Sequence, residues 1–154
     1  MRTEPGRPGT ASTAALRGAA RGGAAAMAMS GFRQVTTGLG LVERVPPEEV
    51  LRKTAPGLFR RIPVDRRQAL VELLHWAYGA GGGMLFGVLP RRLRRQPWTG
   101  PVYGFAFWAV FEAGIAPLLG VDQRRHGGRE PLALLADHLL YGVVVAASPW
   151  LHAD

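Results

Sequence analysis

The hydrophobic and polar positions of this chain fall into long alternating blocks. Four apolar segments of about 20 residues or more are separated by segments rich in arginine and proline. About 20 apolar residues is the length that an α-helix needs to cross a bilayer. The pattern therefore predicts an all-α membrane protein, a bundle of four antiparallel transmembrane helices. The predicted spans are residues 14–42, 69–89, 101–121 and 131–151.

The segments outside the predicted spans are polar. Residues 1–13 are rich in small and polar side chains and lack periodicity, which predicts a disordered tail before a single domain over residues 14–151. Between the first two spans, residues 46–49 (PPEE) form a favourable helix start. Apolar positions then alternate with charged ones. We predict a short amphipathic pair of helices on the membrane surface here, and an ordinary solvated loop is the alternative.

The first span is the weakest of the four, because it is rich in alanine and glycine and contains Arg33. A signal peptide is an alternative, with Arg17 and Arg21 preceding an apolar stretch over residues 24–32. Small residues spaced four apart favour a packed transmembrane helix instead, because they share one helical face. These residues are Gly18, Gly22, Ala26 and Ser30.

The charge distribution indicates a membrane rather than a nucleic-acid partner. The formal net charge is +8, and 18 of the 19 basic residues are arginine, but they gather in the connections between apolar segments. Arginines at the ends of spans are typical of membrane interfaces. The bias towards arginine, alanine and glycine indicates a GC-rich bacterial genome, and hence a multi-pass protein of the bacterial plasma membrane. The basic residues are too evenly divided between the two sides to predict its orientation.

Glycines on the second span predict a close helix contact, or glycine zipper. Gly79, Gly83 and Gly87 are each four residues apart, so they line one face of a helix. Such a stripe lets two helix backbones approach closely in lipid. Gly142 on the fourth span is predicted to pack in the same way, whereas Gly82 lies off the stripe.

Ionisable groups on different spans are predicted to lie at a common depth. The sequence His-x-x-Tyr-Gly occurs at residues 75–79 and 138–142, on two spans that run in the same direction. At 1.5 Å per residue, Arg33 and Glu112 fall within about one helical turn of both histidines. We predict that Arg33 and Glu112 form a buried pair, because charges inside a bilayer are normally paired. The predicted polar layer comprises Arg33, His75, Tyr78, Glu112, His138 and Tyr141.

This layer has three interpretations. It can hold weakly packing helices in register, since polar side chains join helices in membranes. It can form a proton or small-solute path through His75, Glu112 and His138. The two histidines can also bind haem, or a metal together with Glu112. Glu72 and Asp137, nearer the starts of their helices, are expected to meet headgroups or nearby arginines.

No pattern points to an enzyme. The chain has no cysteine, which excludes disulfides and thiolate chemistry, and it lacks a phosphate-binding glycine loop, an HExxH motif and a serine elbow. We therefore predict a non-enzymatic protein with no cofactor, no catalytic residue and no bound metal. Its expected partners are the lipid bilayer and a second copy or another membrane protein, with no nucleic acid.

Four short motifs resemble one family. They are residues 46–49, His-x-x-Tyr-Gly at 75–79, Gly-x-x-x-Gly at 100–104 and Asp-His-x-x-Tyr-Gly at 137–142. Together they resemble the small YagU-like inner-membrane proteins of bacteria, over about residues 16–148. The resemblance implies a four-span fold and an inner-membrane location, but no activity. Arg33 and Glu112 do not belong to any motif of that family.

Overall fold

The computed structural model describes residues 8–40, 46–120 and 129–147, and every regular element in these ranges is helical. The prediction of an all-α protein is confirmed. The elements are α1 (Pro8–Gly38), α2 (Pro46–Thr54), α3 (Pro56–Arg61), α4 (Val64–Val88), α5 (Arg91–Arg94), α6 (Thr99–Val110), a π-helical segment (Phe111–Ile115), α7 (Ala116–Leu118) and α8 (Arg129–Ala147).

The helix ends differ from the predicted spans by several residues. The sequence predicts a disordered tail over residues 1–13, but α1 already begins at Pro8. Proline is well tolerated in the first helical turn, and the alanines that follow are the strongest helix formers. Helix α4 begins at Val64, five residues before the predicted span, and α8 ends at Ala147. The predicted span ends at residues 41–42, 121 and 148–151 lie outside the described residues.

The long helices α1, α4, α6 and α8 form an antiparallel bundle. Helix α1 packs against both α4 and α8, and α6 packs against α8. Aromatic contacts join α6 to α4, where the rings of Tyr103 and Phe86 meet edge to face. At the centre of the bundle the side chains of Phe86, Tyr141 and Val145 are fully buried. Each of the four long helices therefore contacts the next long helix along the chain.

Glycines bring α1 and α4 into backbone contact. A Cβ atom added at Gly83 would lie 2.2 Å from the carbonyl oxygen of Gly18, and one at Gly87 would lie 2.4 Å from that of Ala14. A Cβ at Gly79 would lie 2.5 Å from the Cβ of Ala26. Real Cβ atoms do not approach so closely. The glycine face of α4 thus packs on the small-residue face of α1, as the spacing of both faces indicates.

The second helix pair has the same construction. A Cβ atom at Gly142 on α8 would lie 2.1 Å from the carbonyl oxygen of Gly100 on α6, and one at Gly104 would lie 2.2 Å from the carbonyl oxygen of His138. The glycine that ends each His-x-x-Tyr-Gly sequence therefore lies at a close helix crossing. The contact between α6 and α8 is therefore built in the same way as the contact between α1 and α4.

Gly82 also packs closely, although it lies off the glycine stripe. A Cβ atom there would lie 2.7 Å from both Phe107 Cζ and the hydroxyl oxygen of Tyr141. The stripe faces α1, whereas Gly82 faces the bundle interior, where α4 meets α6 and α8. At Gly81, by contrast, a Cβ would meet open space.

The helix that starts with α6 changes its winding before it ends. At residues 111–115 it becomes π-helical, and the N–H of Ala116 bonds to the carbonyl oxygen of Phe111, five residues earlier. The physical cause is Pro117, which has no N–H to donate and whose ring crowds the preceding turn. The wider winding rotates the residues within it, including Glu112, relative to a regular α-helix.

Helices α2 and α3 pack at one end of the bundle. Leu51 and Phe59 are buried against Val71 near the start of α4, while most of the charged side chains on the two short helices are exposed. The ammonium group of Lys53 donates a hydrogen bond to the carbonyl oxygen of Gly120, after α7. The amphipathic segment predicted between the first two long helices is therefore helical and attached to the bundle.

Within the described residues, one helix is long and apolar enough to cross a bilayer. It comprises Thr99–Leu118, and little of it is buried inside the bundle. Pro131–Ala147 is a shorter apolar helix. Length and composition thus weakly indicate membrane association for this part of the chain.

Candidate functional site

A cavity of about 220 Å³ lies between the long helices and α2. Its walls are mostly apolar and aromatic, with polar side chains at several points. All six residues of the predicted polar layer line it, together with Asp137. The structure therefore gathers these residues from four helices around one space. They are Arg33, His75, Tyr78, Glu112, His138 and Tyr141.

The ion pair of Arg33 differs from the predicted one. Its Nη2 atom lies 3.2 Å from Oδ2 of Asp137 on α8, and both side chains are almost fully buried, at 8% and 4% exposed. The predicted pairing of Arg33 with Glu112 is wrong. Equal depth does not decide on which side of a helix a group lies, and α1 packs against α8 rather than against α6.

His75 extends this pair onto α4. Its Nε2 atom lies 3.3 Å from Nη2 of Arg33. One turn earlier on α4, Glu72 accepts a hydrogen bond from the hydroxyl of Ser30, and that hydroxyl also accepts one from the indole N–H of Trp76, 3.1 Å away. Polar contacts thus join α1 to both α4 and α8.

The two histidines of the repeat have different partners. His138 Nδ1 lies 2.8 Å from the carbonyl oxygen of Leu134, one turn earlier on the same helix. His75 instead contacts Arg33 on another helix. Both rings line the cavity, but the repeated sequence does not give them equivalent surroundings.

The two tyrosines of the repeat meet at Phe107 of α6. The Phe107 ring stacks on Tyr78 with centroids 5.0 Å apart and on Tyr141 with centroids 5.2 Å apart. Tyr141 is fully buried and donates a hydrogen bond of 2.6 Å to the carbonyl oxygen of Gly79, whereas Tyr78 is 42% exposed. The ring of Phe107 therefore lies between Tyr78 of α4 and Tyr141 of α8, and the three rings form an aromatic wall of the cavity.

Glu112 lies in the π-helical segment and lines the cavity with a partly exposed side chain. It shares this wall with Phe111 and Ile115. Glu112 therefore reaches the cavity as predicted, but the ion pair of Arg33 is with Asp137.

Among the described residues no group of three or more histidine, aspartate or glutamate side chains is placed to hold a metal ion. The hydroxyl of Ser30 is engaged by Glu72 and Trp76, so no histidine activates it as a nucleophile.

Asp137 and Trp108 are two lining residues with buried polar atoms that lie outside the predicted polar layer. A signal for Asp137 was present, because Leu134, Asp137 and Tyr141 are spaced three and four apart and share a helical face. All three are buried in the structure. Trp108 offers no such signal, since apolar residues surround it on α6.

Comparison with known proteins finds no family model, no curated protein and no solved structure that matches the chain. The resemblance to the YagU-like proteins therefore stays a prediction.

Proposed function

We propose that this chain is a multi-pass protein of the bacterial plasma membrane, in which all four long helices cross the bilayer. It acts by packing, with a second copy or another membrane protein as partner, and not as an enzyme. Its buried polar layer holds the helices in register. The supporting observation is the distribution of side chains, with an ion pair inside the bundle and large apolar side chains outside.

The outward faces of the long helices carry large apolar side chains. Large hydrophobic side chains that are at least half exposed occur on every one of them. Exposed apolar area on this scale is costly in water and normal in lipid. Examples are Leu16 and Val35 on α1, Leu73 and Leu85 on α4, Val102 and Phe105 on α6, and Leu132 on α8.

Helices α1 and α4 are less apolar than α6, but their composition is compatible with crossing a bilayer. Some of their glycines and polar side chains lie at helix contacts or in the polar layer, as Gly83 and Arg33 do. Glycine is more frequent in transmembrane helices than in soluble ones, and intramembrane charges face the bundle interior. With 31 and 25 residues, α1 and α4 have lengths of about 46 Å and 37 Å, which exceed the thickness of a bilayer core.

The absence of cysteine permits a direct test of the four spans. Single cysteines would be introduced at the exposed positions Ser12, Arg61, Arg92 and Leu118, and cells would be treated with a membrane-impermeant maleimide. Four spans place Ser12 and Arg92 on one side of the membrane, and Arg61 and Leu118 on the other. If only Thr99–Leu118 crosses, Ser12, Arg61 and Arg92 would react from the same side. A chain that remains in the soluble fraction would refute the membrane proposal altogether.

A proton path is the second candidate, and one observation favours it. His75, Glu112 and His138 line the same cavity, next to the ion pair of Arg33 and Asp137. Chains of such groups carry protons in membrane proteins. Proteoliposomes containing a pH-sensitive dye would show proton flux that Glu112→Gln reduces and that a change at the exposed Gln68 leaves intact. A flux equal to that of empty liposomes would exclude this candidate.

A further inference from the structure

One end of the bundle carries arginines without acidic residues, within the part of the chain that the structure describes. We call it the basic end, and it comprises the start of α1, the end of α4, α5, the start of α6 and the end of α8. Close contacts define it. A Cβ atom at Gly87 of α4 would lie 2.4 Å from the carbonyl oxygen of Ala14 of α1, and one at Gly100 of α6 would lie 2.7 Å from the Cβ of Ala146 of α8. Helix α5 lies between α4 and α6 in the chain.

The described charged residues on this side of the polar layer are all arginines. Residues 8–32, 76–111 and 139–147 contain no aspartate and no glutamate. They contain six arginines, two on α1 and four in or beside α5. Glu4 and Asp154 lie nearer the chain ends, outside the described residues.

At the opposite end of the bundle the charges are mixed and partly paired. Glu48 lies on α2, and the carboxylate of Asp65 in the first turn of α4 lies 4.0 Å from Nε of Arg66. The guanidinium group of Arg67 lies over the ring of Phe59, 4.7 Å from its centre. Among the described residues, positive charge without acidic neighbours is therefore a property of the basic end.

The fold keeps the arginines of α5 at the surface. Arg91, Arg92 and Arg95 are exposed, and none of them forms an ion pair with another described residue. Arg94 is half-buried, and its Nε donates a hydrogen bond of 3.0 Å to the carbonyl oxygen of Leu89. This bond attaches the short helix to the end of α4. Three guanidinium groups therefore remain accessible to an anionic ligand outside the chain.

Exposed apolar side chains lie within about one helical turn of these arginines. Val88 belongs to the last turn of α4 and Val102 to the first turn of α6, while Leu93 and Trp98 lie among and just after the arginines. Tryptophan is enriched where lipid headgroups meet the hydrocarbon core. Arginine lays its aliphatic stem on apolar surface and keeps its charge in the polar layer. An anionic lipid presents negative charge beside hydrocarbon, whereas a free anion or a nucleic-acid backbone has no such apolar layer.

We propose that the basic end binds the headgroups of anionic phospholipids through Arg91, Arg92 and Arg95, with Leu93 and Trp98 against the adjoining acyl chains. Guanidinium groups suit this partner, because their planar donors match phosphate oxygens in pairs. The inference deepens the proposed function by naming a lipid class, and it rests on that function only in that the chain meets a membrane. It does not require a particular number of crossings.

Native mass spectrometry of the purified full-length protein in a non-ionic detergent counts bound lipids directly. Phosphatidylglycerol and phosphatidylcholine with the same acyl chains would be added at equal concentrations, so that a preference reports the charge of the headgroup. We expect the protein to bind phosphatidylglycerol at least about tenfold more tightly, because each basic residue near an anionic surface contributes on the order of fivefold. Equal binding of the two lipids would overturn the proposal.

Two matched triple variants locate this preference. Each replaces three exposed arginines with glutamine, so both change the net charge equally. The basic-end variant combines Arg91→Gln, Arg92→Gln and Arg95→Gln, and the control combines Arg60→Gln, Arg61→Gln and Arg66→Gln. We expect the first to lose about tenfold or more of the preference and the second to keep it. An equal loss in both would mean that overall charge attracts the lipid, and would overturn the assignment to the basic end.

A conservative variant and salt keep the test independent of folding. Arg91→Lys with Arg92→Lys and Arg95→Lys retains the charge, so it should retain most of the preference. If the glutamine variant does not fold, as judged by its elution volume, the unmodified protein is titrated with salt. At an ionic strength of about 1 M the Debye length falls to about 3 Å, so the preference should decrease severalfold. A preference that salt does not change would contradict a headgroup site.

Free phosphate and nucleic acid are the competing ligands. Inorganic phosphate and a short DNA duplex would be added in turn at physiological salt. We expect neither to displace phosphatidylglycerol, since neither supplies an apolar layer for Leu93 and Trp98. Displacement by inorganic phosphate would assign a site for a free anion, and displacement by DNA would assign a nucleic-acid surface. Either result would overturn the lipid proposal.

Failure of this inference is distinguishable from failure of the proposed function. A chain that labels as four spans but binds both lipids equally would overturn only the lipid site. A chain that stays in the soluble fraction would be mixed with vesicles of each lipid and floated on a density gradient. Flotation with phosphatidylglycerol vesicles alone would support the lipid site while refuting the crossings. Flotation with neither kind of vesicle would overturn both.

Discussion

The hydroxyl of Tyr141 donates a hydrogen bond of 2.6 Å to the backbone carbonyl oxygen of Gly79. Both residues belong to a His-x-x-Tyr-Gly sequence, so the bond joins the tyrosine of the second copy to the glycine of the first. The ring of Tyr141 is fully buried and also stacks on Phe107. Tyr141 therefore links α8 to α4 and α6 at the centre of the bundle.

Removing this hydroxyl should destabilise the bundle by a measurable amount. We expect Tyr141→Phe to cost about 1 kcal/mol, because the ring contacts remain and one interhelical hydrogen bond is lost. Tyr78→Phe is the matched control, since Tyr78 stacks on the same ring but is 42% exposed. Thermal unfolding in detergent would compare the two variants. Equal effects would mean that the hydroxyl of Tyr141 contributes nothing specific.

The close contact between α1 and α4 predicts a strong effect of the smallest possible substitution. Gly83→Ala adds a Cβ that would lie 2.2 Å from a backbone carbonyl oxygen, so the helices must separate. We expect a loss of about 1–3 kcal/mol, the typical cost of overpacking. The comparison is thermal stability in detergent, measured by the temperature at which the monodisperse protein is lost.

Gly81→Ala is the control for this substitution, because a Cβ at Gly81 meets open space. Alanine is the better helix former, so this change should be neutral or stabilising by up to about 1 kcal/mol. Gly82 is unsuitable as a control, since it packs against Phe107. If Gly83→Ala and Gly81→Ala unfold at the same temperature, the backbone contact does not exist in solution.

Helical spacing predicts much of this packing, and the reason is geometric. A stripe of small residues marks the face along which helices approach, so Gly79, Gly83 and Gly87 could be identified without a structure. The spacing of the stripe does not indicate what a residue on another face of the helix, such as Gly82, contacts. Gly82 faces α6 and α8 because the bundle closes on that side, which is a property of several helices together.

The depth of the polar side chains in the bundle could be predicted from the sequence, whereas the ion pairs between them could not. Counting residues along each span places Arg33, His75, Glu112 and His138 in one layer, and all four line one cavity. Which of these groups form ion pairs depends on which helices are adjacent and on how each helix is rotated about its own axis. Arg33 faces α8, so it meets Asp137, and the π-helical segment caused by Pro117 changes the direction of Glu112 in a way that regular periodicity does not reveal.

The two histidines give a prediction about bound cofactors. We expect the protein purified from cells to be colourless and free of stoichiometric metal, because His75 contacts Arg33 and His138 lies against the carbonyl oxygen of Leu134. An absorption spectrum and elemental analysis test this. A Soret band, or metal that is lost in both His75→Ala and His138→Ala, would contradict it and favour the haem or metal alternative.

A double-mutant cycle on Arg33 and Asp137 tests their ion pair. It also distinguishes this pair from the Arg33–Glu112 pair that equal depth predicts. Both side chains are buried, so removing one leaves a charge without its partner. We expect Arg33→Leu and Asp137→Leu each to cost about 3–5 kcal/mol, whereas replacing both can be nearly neutral. Yield and melting temperature of the double variant should therefore recover much of the loss.

Glu112 is the control for this cycle. The variant Arg33→Leu with Glu112→Leu should show no such recovery, because Asp137, the partner of Arg33, would remain unpaired. Recovery in the Glu112 cycle and simple addition in the Asp137 cycle would favour the depth-based pairing over the observed one. Addition in both cycles would mean that Arg33 has no carboxylate partner in the folded protein. The polar layer would then not hold α1 against α8, and the close glycine contacts with α4 would be the stronger attachment of the first helix.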